Sequence, residues 1–325
     1  MTTRNATKPH ITIASPCYNE EAVIVVFIKA LQQVGNELES NGYITTFLLI
    51  DDGSTDRTLE IVNQAADSDS RIQVASFSRN FGHQAAVAAA IDLADSDALI
   101  IMDSDMQHPP GHIFEMIEAW QAGYNIVSMV REQTIAQTFV KKVTSRVFYR
   151  LFNGLSDTKV PDGAAEFLLL SKRSQTALKE LPEYHQFWRG MISWIGFSRK
   201  YIKYTAAERE LGTSKYSAAK MFGLAIDGMT SFSTRPMKVI TAIGLVTATS
   251  GALYLIYILS VALFTKDAVQ GWSSVIATII ILGGIQILIT GVIGSYTAKI
   301  FEQVKFRPKY ILSDPKPKAR SERGV

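Results

Sequence analysis

Ile100-Ile-Met-Asp-Ser-Asp-Met-Gln-His108 is the stretch on which the reading of this chain turns. The apolar run Ala98-Leu-Ile-Ile-Met102 has the length of a buried strand, and it stops at two carboxylates one residue apart, Asp103 and Asp105. Gln107 adds a neutral oxygen, and Pro109-Pro110 end any regular continuation. At the end of a strand, alternate side chains turn toward one point. Hard oxygen donors at the carboxyl edge of an α/β sheet suit Mg²⁺ or Mn²⁺ that already carries phosphate oxygens. An Asp-x-Asp pair alone is more often a strand running into a solvated acidic turn, so the weight falls on its surroundings.

Upstream, strand and helix patterns alternate. His10-Ile-Thr-Ile-Ala-Ser-Pro-Cys17 reads as a first strand, followed by the polar turn Tyr18-Asn-Glu-Glu21. Val23, Phe27, Leu31, Val34 and Leu38 share one face of a helix over 22–40. Phe47-Leu-Leu-Ile50 is a second strand ending in Asp51-Asp-Gly-Ser-Thr-Asp56, and Leu59, Val62 and Ala66 mark the next helix. Ile72–Phe77 is a third strand, followed by Ser78-Arg-Asn-Phe-Gly-His83 and an Ala-rich helix over 84–94. After the Asp-x-Asp stretch come a helix with Ile113, Met116, Ile117 and Trp120, the strand Asn125–Val130, and Arg131. This order predicts an α/β fold with a mostly parallel sheet and helices on both faces. The polar clusters all follow strands, so they share the sheet edge where ligands bind. Neither a Gly-x-Gly-x-x-Gly nor a P-loop pattern occurs, which argues against a dinucleotide or P-loop site.

Pro16-x-Tyr-Asn-Glu20, the Asp51-Asp-Gly-Ser-x-Asp56 turn and Asp103-Ser-Asp-x-Gln107 resemble the GT-A glycosyltransferases of family 2. Within that family the chain is most similar to the polyprenyl-phosphate sugar synthases, and Ser78–His83 leans toward the bactoprenol glucosyltransferases. The resemblance covers roughly residues 10–220. It implies that Pro16, Tyr18 and Glu20 line a nucleoside pocket and that Asp52 contacts base or ribose. Asp103 and Ser104 would face ribose and phosphate, and Asp105 and Gln107 would hold Mg²⁺ or Mn²⁺ on the donor diphosphate. The implied donor is a nucleotide sugar, UDP-glucose first and GDP-mannose next. The implied acceptor is a polyprenyl phosphate, held by Arg131 and Arg146, since the arginine fork binds phosphate bidentately.

Relatives carry an Asp a few residues before a Gly-Phe-Arg or Asp-Phe-Arg element. In Lys159-Val-Pro-Asp-Gly-Ala-Ala-Glu-Phe167, Asp162 and Phe167 fit, Glu166 replaces Asp or Gly, and Leu168 stands where Arg is usual. Asp162 is expected to orient the acceptor more than to act as an essential base, with Asp157 the alternative register. Gln186-Phe-Trp-Arg-Gly190 departs from the Gln-x-x-Arg-Trp of processive synthases at its last residue. Gly212-Thr-Ser-Lys-Tyr216 resembles the Gly-x-Ser-Lys-Tyr loop of the lipid-phosphate enzymes, which makes Lys215 a candidate phosphate ligand.

The overall hydrophobic fraction is an ordinary 47%, but apolar residues concentrate after residue 238. Residues 216–237 have the spacing of an amphipathic interfacial helix. Val239–Thr265 and Ala268–Ala298 are charge-free apart from the Lys266-Asp267 link, and each exceeds the roughly 20 residues that cross a bilayer. The net charge of +3 divides into +5 from Lys299 onward and −2 before it. Arg235 and Lys238 precede the first run and Lys299, Lys305, Arg307 and Lys309 follow the second, so the positive-inside rule puts both termini and the catalytic domain in the cytosol.

The expected organisation is a transferase domain over 1–215, the juxtamembrane helix over 216–237, two transmembrane helices over 238–298 and a basic cytosolic tail over 299–325. The single Cys17 excludes an internal disulfide, and the N-terminus does not read as a signal peptide. The expected location is the inner (plasma) membrane, with membrane lipid as a partner and no nucleic acid. Gly283, Gly284 and Gly291 give a surface on which spans of separate copies pack, the basis for expecting a homo-oligomer. The rival to an enzyme is a membrane scaffold that keeps a degenerate transferase fold, for which Leu168 is the supporting feature.

Overall fold

The computed structural model of the chain describes residues 8–131, 164–184, 186–204, 235–264 and 271–314. They fall into two compact units: one holds the sheet together with residues 307–314, the other holds two long helices.

In the first unit, β1 (His10–Cys17), α1 (Ile24–Ser40), β2 (Ile44–Asp51), α2 (Thr58–Ser68), β3 (Ile72–Ser76), α3 (His83–Leu93) and β4 (Ala98–Ile101) alternate as the periodicity predicts. Then follow α4 (Ile113–Gln121), β5 (Ile126–Arg131), β6 (Ala164–Ser171), α5 (Lys172–Lys179), α6 (Trp188–Trp194) and β7 (Arg199–Tyr204). The seven strands form one sheet in the order β3-β2-β1-β4-β6-β5-β7. All run in one direction except β6, which pairs antiparallel with both β4 and β5.

Burial explains the pattern. Every residue of β4 is buried, as is every residue of β1 after His10, which is why both read as apolar runs rather than alternations. Phe27, Leu31, Val34 and Leu38 of α1 are buried in the same core, each contributing about 2 kcal/mol of apolar transfer. Ser171 caps α5, its hydroxyl accepting from the Ser174 amide at 3.3 Å.

The register between β5 and β6 slips once: Ser128 pairs with Leu168, but Val130 pairs with Ala164. The extra residues on β6 make a bulge that contains Glu166. Leu168 is a 4% exposed sheet residue between Ile101 and Ser128.

In the second unit, α7 (Arg235–Phe264) has 30 residues and α8 (Trp272–Val304) has 33, about 45 and 50 Å at the α-helical rise. Among the described residues one stretch, Ile281–Val304, is long and apolar enough to cross a membrane, and Ile240–Tyr254 is a shorter apolar run. Both helices reach beyond the expected bounds of 238–298. Residues 299–304 are the last turns of α8, while residues 307–314 belong to the sheet unit, so the expected 299–325 tail is divided between the two. The expected helix over 216–237 lies outside the described residues up to Arg235, where α7 begins.

Candidate active site

The parallel strands open their carboxyl ends on one edge, and the order reverses between β1 and β4, the usual place for a ligand crevice. The predicted clusters from β1, β2 and β4 meet there. Ser104, 4% exposed, donates its hydroxyl to the Pro16 carbonyl at 2.9 Å, fastening the Asp-x-Asp turn to the end of β1. The Tyr18–Glu21 turn is sewn to the turn after β2. Asn19 (φ 52°) receives the Thr55 amide at 2.8 Å, the Glu20 amide donates to Thr58 at 2.8 Å and the Glu21 amide donates to Asp56 at 3.2 Å. Tyr18 is 39% exposed on this rim.

Asp51 and Asp52 have different partners. Asp51 accepts from the Ser54 amide at 3.2 Å and the Ser76 hydroxyl at 2.9 Å, closing its own turn. Asp52 accepts from the Phe81 amide at 2.7 Å and the Gly82 amide at 3.0 Å, so this buried carboxylate fixes the loop after β3. Burial raises its pKa, and those two amides oppose the rise. Gly53 explains the tight fit: its φ is +67°, and a Cβ there would lie 2.4 Å from the Arg79 carbonyl carbon. Cys17 is a buried filler, its thiol pushed up to about 12, chiefly by burial.

At the Asp-x-Asp turn, Met106 adopts φ 60°, a left-handed conformation for a non-glycine residue. This folds Gln107 back on Asp105: the Gln107 amide donates at 3.1 Å and its side-chain nitrogen at 2.7 Å. The Gln107 side-chain oxygen in turn accepts from Arg131 Nη1 at 3.1 Å. The residues predicted for the cation and the described arginine predicted for the acceptor phosphate therefore form one connected chain. The Asp105 carboxylate and the Gln107 side-chain carbonyl are hard oxygen donors, a small set of the kind that suits Mg²⁺ or Mn²⁺ completed by phosphate and water oxygens. Among the described residues no three His, Cys, Asp or Glu side chains gather into a cage of their own. Arg146, Asp157, Asp162 and Lys215 lie outside the described residues.

The sequence reading missed a charge network behind Asp103, partly open to solvent at His83 and Asp103 and closed at Glu166. His83, at the start of α3, forms an ion pair with Glu166 of the β6 bulge, and its Nε2 lies 3.7 Å from Asp103. Glu166 also accepts from Gln84 at 3.0 Å and faces Arg189 Nε at 3.5 Å. Burial raises the Glu166 pKa, but the His83 charge and hydrogen bond, with Arg189 and Gln84, outweigh it and bring the carboxyl down to about 2. Burial likewise opposes charge on His83, yet Glu166 and Asp103 lift its pKa to about 9. Burial raises the Asp103 pKa, opposed chiefly by the His83 charge. His108 Nδ1 accepts the Asp103 amide at 3.1 Å, and burial lowers its pKa, so a neutral ring with its proton on Nε2 fits this network. The available signal for the network was Glu166 itself, a lone carboxylate in the apolar run Ala164–Leu170.

Residues 12–176 match the model of the family described as glycosyl transferase family 2. The chain is 39% identical over 301 residues to an uncharacterized glycosyltransferase, YkcC, of Bacillus subtilis, covering 93% of this chain and 92% of that one. It is 37% identical over 308 residues to the bactoprenol glucosyl transferase of Shigella phage SfV, covering 95% and 99%. Among solved structures it is similar to glucosyl-3-phosphoglycerate synthase from Mycobacterium tuberculosis, at 15% identity and TM-score 0.47, over 70% of this chain and 80% of that one. With an Asp-x-Asp turn at the edge of a mostly parallel sheet, and relatives matched over nearly their full length, this chain belongs to glycosyl transferase family 2.

Proposed function

We propose that the chain transfers glucose from UDP-glucose to the phosphate of a polyprenyl phosphate, with inversion, at the cytosolic membrane face. The observation that carries this reading is the hydrogen-bonded run Asp105–Gln107–Arg131, whose 3.1 Å contact links the residues proposed for the donor diphosphate to the guanidinium proposed for the acceptor phosphate. The bactoprenol glucosyl transferase of Shigella phage SfV, aligned over 99% of its length, supports both the sugar and the class of acceptor. Large apolar side chains on α7 and α8, such as Leu245 at 69% and Ile287 at 76% exposure, support two membrane spans that keep the enzyme beside a lipid acceptor.

In this reading Pro16, Tyr18, Glu20 and Asp52 shape the nucleoside pocket, and Asp103 and Ser104 face ribose and phosphate. Asp105 and Gln107 hold Mg²⁺ or Mn²⁺, which when bound supplies positive charge to the departing diphosphate. Arg131, Arg146 and Lys215 hold the acceptor phosphate, and Asp162 orients it. A phosphate monoester, with second pKa about 6, is already ionised at neutral pH, so its oxygen needs no base. That oxygen bonds to the anomeric carbon as the bond to the donor diphosphate breaks, the electron pair leaving on the diphosphate oxygen. One in-line displacement inverts the anomeric centre.

The test incubates purified protein with undecaprenyl phosphate, Mg²⁺ and radiolabelled UDP-glucose or GDP-mannose. Label from UDP-glucose in the organic phase, abolished by EDTA and by Asp105→Ala, is expected. Label only from GDP-mannose overturns the sugar assignment. No lipid-linked label from either donor overturns the reaction.

A further inference from the structure

β3 is the outer strand of the sheet, yet its edge is covered. The chain that follows α8 runs antiparallel beside it: the Ser78 amide donates to the Ile311 carbonyl at 2.9 Å and the Ser313 amide to the Ser76 carbonyl at 2.8 Å. Phe77 and Leu312 form the bridge between them. Side chains reinforce the pairing. The Tyr310 ring stacks on Phe77 with centroids 5.0 Å apart, and Phe77 meets Phe81 edge-on at 5.8 Å. Phe81 is the residue whose amide donates to Asp52 at 2.7 Å. A second line of contact runs through Lys309, 5.9 Å from the Trp188 ring centroid, and Trp188 donates its indole N–H to the Gln84 carbonyl at 2.9 Å. Tyr310 also reaches Asp92 of α3 at 3.5 Å, the limit of a hydrogen bond. Residues 309–313 thus touch both supports of the donor side of the crevice: the loop that grips Asp52, and the helix that carries His83 and Gln84.

We infer that Tyr310 is a positioning residue for the donor pocket, acting through Phe77 on the 78–83 loop and so on Asp52. The inference rests on the reading that this crevice takes the nucleotide of a sugar donor. A plain edge cover, of the kind that blocks strand pairing between molecules, would contribute to stability and leave substrate preference untouched. A positioning role is selective, because the contacts lead to the nucleotide side of the crevice.

Full-length Tyr310→Ala, Tyr310→Phe and Ser313→Pro proteins in detergent separate the two. UDP and GDP affinity is measured by calorimetry, and donor and acceptor KM by initial rates. Tyr310→Ala is expected to weaken UDP binding and raise the donor KM roughly tenfold with acceptor KM unchanged. Tyr310→Phe keeps the stacked ring and is expected to behave as the parent. Ser313→Pro deletes the Ser313 N–H and hydroxyl bonds to the Ser76 carbonyl that hold the 310–313 segment, and with it the Tyr310 ring, against Phe77, so it shifts UDP affinity in the same direction even if Tyr310→Ala fails to fold. Unchanged UDP affinity in folded Tyr310→Ala or Ser313→Pro protein, or equal rises in donor and acceptor KM, overturns the inference. A parent protein that binds UDP but transfers no glucose overturns the proposed reaction alone, and UDP affinity still decides the role of Tyr310. A parent that binds neither UDP nor GDP overturns both.

Discussion

Glu166 is the residue with the most at stake in the site. It is an ionised carboxylate in a strand that is otherwise apolar, and its counter-charges, His83 and Arg189, come from two different helices. Removing one member of such a set leaves the others charged in a poor environment. His83 and Arg189 are each about a third exposed, so solvent screens the pairs, and Glu166→Gln is expected to destabilise the sheet unit by about 1 kcal/mol, read as a lowered melting temperature. The pH dependence has a defined sign. The Glu166 pKa is depressed to about 2, so its contribution is present above the unfolded value of about 4.3 and is lost as pH falls toward 2. The His83 pKa is raised to about 9, so its contribution is complete below about 6.5 and is lost as pH rises through 9. The melting temperature should be highest between roughly pH 4.5 and 6.5 and decline on both sides. In Glu166→Gln both limbs should flatten, because the neutral amide no longer titrates and His83 loses its main partner. A variant profile of unchanged shape would sink the pairing.

Among the elements, the turn after β2 carries the sharpest constraint. Gly53 combines φ +67° with a backbone contact that leaves no room for a Cβ. Gly53→Ala is expected to cost about 2 kcal/mol and to push the Arg79–Asn80 segment outward, weakening UDP binding. Thermal melting and UDP titration check both effects, and an unchanged UDP affinity would show that the two loops move independently. This turn and its neighbours were legible in the sequence because each follows an apolar strand and ends it with polar residues. The strands from β1 to β5 were legible for the same reason. β6 was not. Ala-Ala-Glu-Phe-Leu-Leu-Leu has no alternation, and its antiparallel place between β4 and β5 comes from pairing with strands distant in sequence. Glu166 and His83 were missed with it, since their meeting depends on that insertion. Asp52 was picked out, but its grip on the Phe81 and Gly82 amides has no signature in a spacing pattern.

For the whole molecule, the apolar bulk after residue 238 and the basic flanks were plain from composition, because apolar residues there follow one another with no polar face between them. The expectation of two spans gives a direct measurement. The protein should remain in the membrane pellet after alkaline carbonate washing and be released only by detergent. Recovery in the soluble fraction would remove the spans from the account. The division of residues 299–325 had no compositional sign, since a run of lysines and arginines around Tyr310 and Leu312 looks like any polar tail.

That division has a consequence for how the protein is made. β3 leaves the ribosome early, whereas Ile311 and Ser313, which complete its hydrogen bonding, emerge much later, Ser313 coming 237 residues after Ser76. At ordinary elongation rates the gap is on the order of tens of seconds. Through that interval the nascent domain carries an unpaired outer strand, and α7 and α8 are synthesised before it can be closed. A growing chain that stops before residue 311 would stay open at that strand, exposed to chaperones and proteases, so completion of the sheet reports that both long helices have been synthesised.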